Sequence, residues 1–312
     1  MSDLHEALEL RKNGIGSTIV ILCGIRTQED VQAVVDKDLT PVLFDMDAVE
    51  LLASEAARKG KRANIHLKVD TGMGRLGIPH SEAGPLMKRI KGIKGIYLEA
   101  LTSHLSSADE PDSEFTMGQI GNFKAAIDIG RTMGLDLPMN NLANSAGTMA
   151  YKDSHFNMVR PGIMLYGGLP SPGFQAPSPL KPVMDFRGRV LQIRDLPDHT
   201  PVSYGRAYYT NGPKRTAVIS MGYGDGLPRS LSNKGKLLIK GKRADIIGRV
   251  CMNMIICDIT NIKNVLPGDE AVLLGHQGDM SITADEIAMW AETISYEIFC
   301  SIGQKATKEF VE

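Results

Sequence analysis

HLKVDTGMGRLG, residues 66–77, reads as a strand, an acid and then Gly-x-Gly-x-x-Gly. Two chemistries compete for it. A dinucleotide-binding loop needs its glycines to open a helix directly, so that the pyrophosphate sits on the helix N-terminus. Here Ile78 and Pro79 intervene, and the next helix is expected to start near Ser81. Asp70 and Thr71 also push the first glycine away from the strand. The nicotinamide-oxidoreductase reading rests on that one pattern and is set aside. The strand's period of two is more telling. Ile65, Leu67 and Val69 share one face, and His66, Lys68 and Asp70 share the other. In a β/α barrel, polar side chains pointing inward near a strand's C-terminal end are where catalysis sits. The bland alternative is an inward Lys68–Asp70 ion pair that fills the interior. This strand alone leaves both open, although a lysine buried there must be paired or neutralised.

Outward from this strand the chain alternates. An opening helix capped by Ser2 and ending before Gly14 is followed by the apolar run TIVILC (18–23). Thr27–Leu39 is helical, with Thr27 and Asp30 as a capping box; PVLFD (41–45) is a strand and Asp47–Gly60 a helix. Further strands are expected at 65–70, 96–104, 139–145 and 157–167, and a long helix at Glu114–Gly134. That makes six strands before residue 168. Buried strands alternating with helices predict a parallel sheet with helices outside. PSPGFQAPSPLKP (170–182) holds five prolines in thirteen residues and marks a boundary. The expected division is 1–181 and 182–312. Beyond it, short β-type runs broken by Gly, Pro and Asp predict an antiparallel β domain, with one late helix from Thr283, where Glu286 completes a capping box.

Composition excludes several classes. Of 312 residues 43% are hydrophobic, as in ordinary globular proteins, and the formal net charge is −1. No global field steers this chain to nucleic acid or an anionic membrane. No apolar run approaches the roughly 20 residues of a membrane span, and the polar N-terminus lacks a signal core. The four cysteines (Cys23, Cys251, Cys257 and Cys300) are scattered without a C-x-x-C pair. Reduced thiols in a cytoplasmic protein are expected, with no metal site.

Other strand ends carry polar residues. His104 closes ALTSH, Asn144 and Ser145 close LANSA, and Arg160 sits in VRPGI, where Gly162 and Ile163 offer backbone N–H groups. Singly each has a structural use: a core histidine, a helix cap at Ser145, a salt-bridge partner. Barrels often build a phosphate site from their last strands, and Ser145 with Gly162 fits that pattern. In the β domain Tyr223 stands between glycines in SMGYGDGLPR (220–229).

HLKVDTGMGRLG, SHLSSADE, ANSAG, VRPGIMLYG, VSYGRAYY, MGYGDG, GRVCMNM and SYEI, in this order, resemble the motifs of the alanine racemases. The resemblance runs from about residue 4 to the C-terminus. It implies a pyridoxal-phosphate (PLP) enzyme built as an eight-stranded barrel followed by a β domain. It also implies a cytoplasmic homodimer that interconverts L- and D-alanine for peptidoglycan precursors. Tyr223 matches the tyrosine base that acts in the partner subunit's site, and His104 the histidine that hydrogen-bonds it. Arg160 matches the arginine facing the pyridine nitrogen; a guanidinium keeps its proton, so that nitrogen stays unprotonated. Asn144, Ser145, Gly162, Ile163 and Tyr296 fall on cofactor-binding positions. Arg75 matches the arginine near the cofactor's phenolic oxygen and the substrate carboxylate, and Lys68 the often carbamylated lysine that orients it. Met252 falls on a carboxylate-binding backbone position, and Asp109 and Arg249 on the substrate's access channel. Tyr296 favours alanine over serine.

Three departures carry consequences. Asn141 stands where histidine is more usual, and Asn253 where aspartate is usual. The family's KANAYGHG-like motif, which bears the Schiff-base lysine, is absent. The expected fold is therefore an incomplete (β/α)8 barrel of the TIM type lacking its first two strands, about 60 residues at about 30 per β/α unit. An N-terminally truncated chain without that lysine is expected to be inactive. The sequence upstream in the gene decides whether Met1 is the true start. A non-catalytic PLP- or partner-binding homologue is the alternative.

Overall fold

The computed structural model describes residues 1–110, 113–304 and 307–311. Its contacts divide the chain into two units, Met1–Pro161 and Gly162–Glu312.

The N-terminal unit alternates as the sequence predicts. Its elements are α1 (Leu4–Lys12), β1 (Val20–Ile21), α2 (Gln28–Asp36), β2 (Thr40–Leu43), α3 (Met46–Arg58) and β3 (Ala63–Asp70). They continue with β4 (Ile78–Pro79), α4 (Ala83–Lys91), β5 (Ile96–Thr102), α5 (Ser113–Thr132) and α6 (Ser145–Ala150). β1–β2, β2–β3 and β3–β5 pair in parallel. Isolated parallel bridges then join Thr102 to Asn141 and Asn141 to Met158. The result is an arc of six parallel positions among the described residues, the barrel-like α/β arrangement expected. Ile65, Leu67 and Val69 are fully buried on one face of β3, alongside Leu101 of β5.

Local chemistry explains most boundaries. Thr27 and Asp30 form the capping box of α2. Asp3, not Ser2, caps α1, accepting from the Glu6 N–H, while the Ser2 N–H donates to the Glu6 carboxylate. The expected strand at 139–145 is a single bridging residue, Asn141, followed by α6. The expected strand at 157–167 is likewise one bridge at Met158, then a 3-10 turn over Ile163–Tyr166. Pro161 removes a ladder donor there. The helix expected near Ser81 begins as a 3-10 turn over His80–Glu82 and becomes α4 at Ala83.

In the C-terminal unit the main strands are β6 (Phe186–Leu196), β9 (Lys214–Ile219), β10 (Lys236–Ile239), β11 (Lys242–Ile246), β12 (Ile255–Asp258), β13 (Glu270–Gln277) and β14 (Met280–Ile282), with β7 (Pro201–Val202) and β8 (Tyr208–Tyr209) as a small ribbon. All pairings are antiparallel, in the order β10-β11-β12-β9-β6-β13-β14. β10 also pairs with β13, so six strands close on themselves. Closure removes exposed strand edges. Ile219, Leu237, Leu238, Ile255 and Val272 fill the core. Helix α7 (Ala284–Ala291) opens on the Thr283–Glu286 capping box, and α8 (Ser295–Ser301) follows.

Candidate active site

The loop after β3 is built around Asp70. Its Oδ1 accepts the N–H groups of Gly72 at 2.9 Å and Met73 at 2.8 Å, and its Oδ2 that of Gly74 at 2.9 Å. The amides that a dinucleotide loop would offer to phosphate are consumed by this carboxylate. Gly77 lies at φ +119°, and a Cβ there would meet the Asp70 nitrogen and the Lys68 Cγ at 2.9 Å. β4 then returns beside Val69 and Asp70. The glycines fold the loop back on its own strand.

Asp70 is thus occupied, and the Lys68–Asp70 ion pair does not form. Burial first, then the charges of Arg160 and Arg75, push the Lys68 ammonium down to about 7, while Asp70 opposes the shift. Arg75 lies exposed in the loop. Neither the Lys68 nor the Arg75 side chain makes a hydrogen bond or ion pair among the described residues.

Arg160 is anchored. Its N–H bonds the Ala143 carbonyl at 3.0 Å. Nη1 donates to the Asn141 Oδ1, and Nη2 to the Ser103 carbonyl at 2.5 Å and the Leu142 carbonyl at 3.3 Å. Its partners are neutral, so the cation stays uncompensated; burial lowers it to about 10, and it remains charged at neutral pH. Nη2 also lies 3.3 Å from His104 Nδ1. Burial, then the charges of Arg160, Lys68 and Arg75, push His104 down to about 3. His104 is therefore neutral, with Nδ1 turned to a donor and Nε2 carrying the proton.

Gln119 of α5 holds the segment after β5. Its Nε2 donates to the His104 carbonyl at 3.1 Å, and its Oε1 accepts from the Ser106 N–H at 3.0 Å. Half-buried Asp109 follows in this segment. Asn144, not Ser145, caps α6: its Oδ1 accepts from the Gly147 N–H at 3.0 Å and its Nδ2 donates to the Leu105 carbonyl at 3.1 Å. Ser145 is the first residue of the helix and is buried.

The remaining candidates lie in the C-terminal unit. Gly162 precedes the 3-10 turn that starts at Ile163. That turn packs on α8, because a Cβ on Gly168 would meet Phe299 at 2.8 Å and Ile163 at 3.0 Å. Ser295 ties α8 to the Leu169 carbonyl at 3.0 Å. Tyr296 follows, 39% exposed. Tyr223 opens another 3-10 turn, and its N–H bonds the Cys251 carbonyl at 2.9 Å. The Gly224 N–H bonds the Met252 carbonyl at 2.7 Å. A Cβ on Gly222 would sit 2.3 Å from the Cys251 oxygen. MGYGDG and CMNM therefore interlock, presenting Tyr223 at 44% and Met252 at 56% exposure. Ser203 Oγ bonds the Arg249 carbonyl at 2.7 Å, leaving that side chain outward.

Among the described residues no group of three or more His, Cys, Asp or Glu could hold a metal ion, and no helix is long and apolar enough to cross a membrane.

Residues 1–170 match the family profile described as alanine racemase, N-terminal domain, and residues 183–310 the one described as alanine racemase, C-terminal domain. The chain belongs to the alanine racemase family. It is 41% identical over 305 residues to the alanine racemase of Syntrophobacter fumaroxidans, covering 98% of this chain and 81% of that protein. With the alanine racemase of Halothermothrix orenii it shares 39% over 306 residues, covering 98% and 80%. Among solved structures, the alanine racemase of a D-cycloserine-producing Streptomyces lavendulae superimposes with a TM-score of 0.91 at 31% identity, covering 97% of this chain and 80% of that one. The alanine racemase of Bartonella henselae, solved with covalently bound pyridoxal phosphate, gives 0.88 at 29%, covering 99% and 84%. These matches make the chain an enzyme of the racemase class.

Proposed function

We propose that this protein interconverts L- and D-alanine with PLP, in the cytoplasm, for peptidoglycan precursors. One observation carries the reading: Lys68, Arg75 and Arg160 gather at the C-terminal ends of the parallel strands with no ion-pair partner among the described residues. Such a cluster fits an anionic cofactor and a carboxylate substrate. PLP, when bound, supplies the electron sink that acidifies the α-hydrogen of alanine.

Arg160 faces the pyridine nitrogen and withholds its proton, which suits its anchorage by Asn141 and Ser103. Lys68, near 7, is largely an amine in mildly alkaline water. An amine reacts with carbon dioxide to give a carbamate, and that anion orients Arg75 toward the substrate carboxylate. We carry the phosphate contacts to Ser145, Gly162, Ile163 and Tyr296, and a further cofactor contact to Asn144. Tyr223 exchanges the α-proton in the partner subunit's site of a homodimer, with His104 as its hydrogen-bond partner. The Met252 backbone receives the substrate carboxylate, and Asp109 and Arg249 line its access channel. Residues 1–181 form the cofactor domain and 182–312 the β domain.

A second reading is a PLP-binding homologue without racemase activity. The two separate when the product of the whole gene is incubated with PLP. A racemase shows borohydride-reducible visible absorbance and converts L-alanine to a mixture of both enantiomers. Bound PLP without D-alanine supports the second reading.

A further inference from the structure

Behind Arg160 and its anchor Asn141 runs a buried set of polar side chains that the functional reading does not use. Asn141, Thr102 and His66 are all fully buried. Asn141 Nδ2 donates to Thr102 Oγ1 at 3.0 Å and to the Met139 carbonyl at 2.9 Å. Thr102 Oγ1 lies 3.2 Å from His66 Nδ1. His66 Nε2 lies 3.4 Å from Glu99 Oε2, and neither atom has a hydrogen-bond partner among the described residues.

The direction of every proton follows from the two ends. A guanidinium only donates, so Asn141 must turn Oδ1 to Arg160. A carbonyl only accepts, so Nδ2 must face Met139. Thr102 Oγ1 therefore receives a proton from Asn141 and has its own to give to His66 Nδ1. Burial, then the charge of Arg160, holds His66 at about 4, so its ring is neutral and carries one proton. With Nδ1 accepting, that proton sits on Nε2, facing Glu99. The carboxylate reaches this place through a β-bulge. Ile65 pairs with Leu98 and His66 with Ala100, so Glu99 is the extra residue between them.

We propose that Glu99, His66 and Thr102 are positioning residues: the Glu99 carboxylate, 3.4 Å from Nε2, favours the Nε2–H tautomer of His66, and the hydrogen bonds through Thr102 then steady the Asn141 oxygen toward Arg160. If His66 adopted the other tautomer, its Nδ1–H would donate to Thr102 Oγ1 alongside Asn141, and the buried Thr102 hydroxyl proton would lose its acceptor. The Asn141 amide would then be held by the Met139 carbonyl and Arg160 alone, and its Oδ1 would be less firmly fixed toward the guanidinium. The proposal rests on the reading of Arg160 as the residue facing the pyridine nitrogen.

The test uses 15N-histidine-labelled protein without cofactor, and a long-range 1H–15N spectrum of His66. The wild type is expected to show an unprotonated Nδ1 and a protonated Nε2. Glu99→Met, which removes the acceptor, shifts the ring toward Nδ1–H; Glu99→Gln, which keeps one, restores the wild-type pattern. A second arm compares binding of PLP with its analogue in which CH replaces the ring nitrogen. The wild type prefers PLP, and Glu99→Met and Thr102→Val each lower that preference by on the order of tenfold, about 1.4 kcal/mol. Thr102→Ser restores it. A general loss of packing would weaken both ligands alike and leave the ratio unchanged. An Nδ1–H tautomer in the wild type overturns the proposal, as does an unchanged ratio in variants whose tautomer has flipped. A wild type with no preference for PLP contradicts the reading of Arg160 itself, and the tautomer result then decides the chain alone.

Discussion

The Nη1 of Arg160 donates to the Oδ1 of Asn141, a residue with no exposed surface at the parallel bridge between β5 and Met158. The arginine's place is set by an amide. Asn141→Ala leaves a charged donor without its acceptor, which costs about 1–3 kcal/mol. Urea unfolding at pH 7 should show that loss. Asn141→Asp keeps the acceptor and should recover most of it.

Lys68 titrates near 7 in the fold and near 10.4 in an unfolded chain. Between those values the unfolded state binds the extra proton, so stability rises with pH. The cost of this lysine is complete below pH 7 and fades as pH rises toward 10. Lys68→Met is therefore expected to stabilise the protein at pH 6, and the gain to shrink steadily in alkali. Urea midpoints across pH 6–9 measure it. With 13C-bicarbonate at pH 8, the wild type should also show a carbamate signal that Lys68→Met lacks.

His66 and His104 are held at about 4 and about 3, mainly by burial. Both are neutral in the fold and protonated in the unfolded chain once pH falls below about 6.5. Stability should drop as pH falls from about 6.5 toward 4. The interval from pH 6.5 to 5 lies above the ordinary carboxylate range, so the histidines dominate it. His104→Asn should flatten the fall in urea midpoint over that interval.

Gly226 sits at φ +94°, and a Cβ there would lie 1.8 Å from the Ser301 carbonyl. Gly226→Ala forces the Tyr223 turn away from α8. A stability loss of at least about 2 kcal/mol is expected, with a larger loss of racemase activity because Tyr223 moves. Thermal unfolding and steady-state kinetics check the two effects separately.

How much was legible depended on whether a residue's role is set by its near neighbours. The capping boxes at Thr27–Asp30 and Thr283–Glu286 are local chemistry, and both form. The alternation around Lys68 was readable because a strand's period is two. Ser2 and Ser145 each stand beside an equally good cap, and Asp3 and Asn144 take those places. In the expected strand 96–104, Thr102 falls on the same side as His104 by alternation, so it was within reach of the sequence. Glu99 could not: its position opposite His66 comes from a register shift between two strands. The likeness to a strand at 157–167 failed because the apolar run folds into a turn once Met158 has bridged to Asn141.

The central claim is that these residues serve the racemisation of alanine. The most direct measurement incubates the product of the whole gene with PLP and L-alanine in deuterium oxide, following D-alanine by chiral chromatography and α-deuterium by mass spectrometry. The account predicts that both appear, and that Tyr223→Phe lowers the rate by about a hundredfold or more while PLP stays bound. Bound PLP with no D-alanine, or a Tyr223→Phe variant as fast as the wild type, would contradict it.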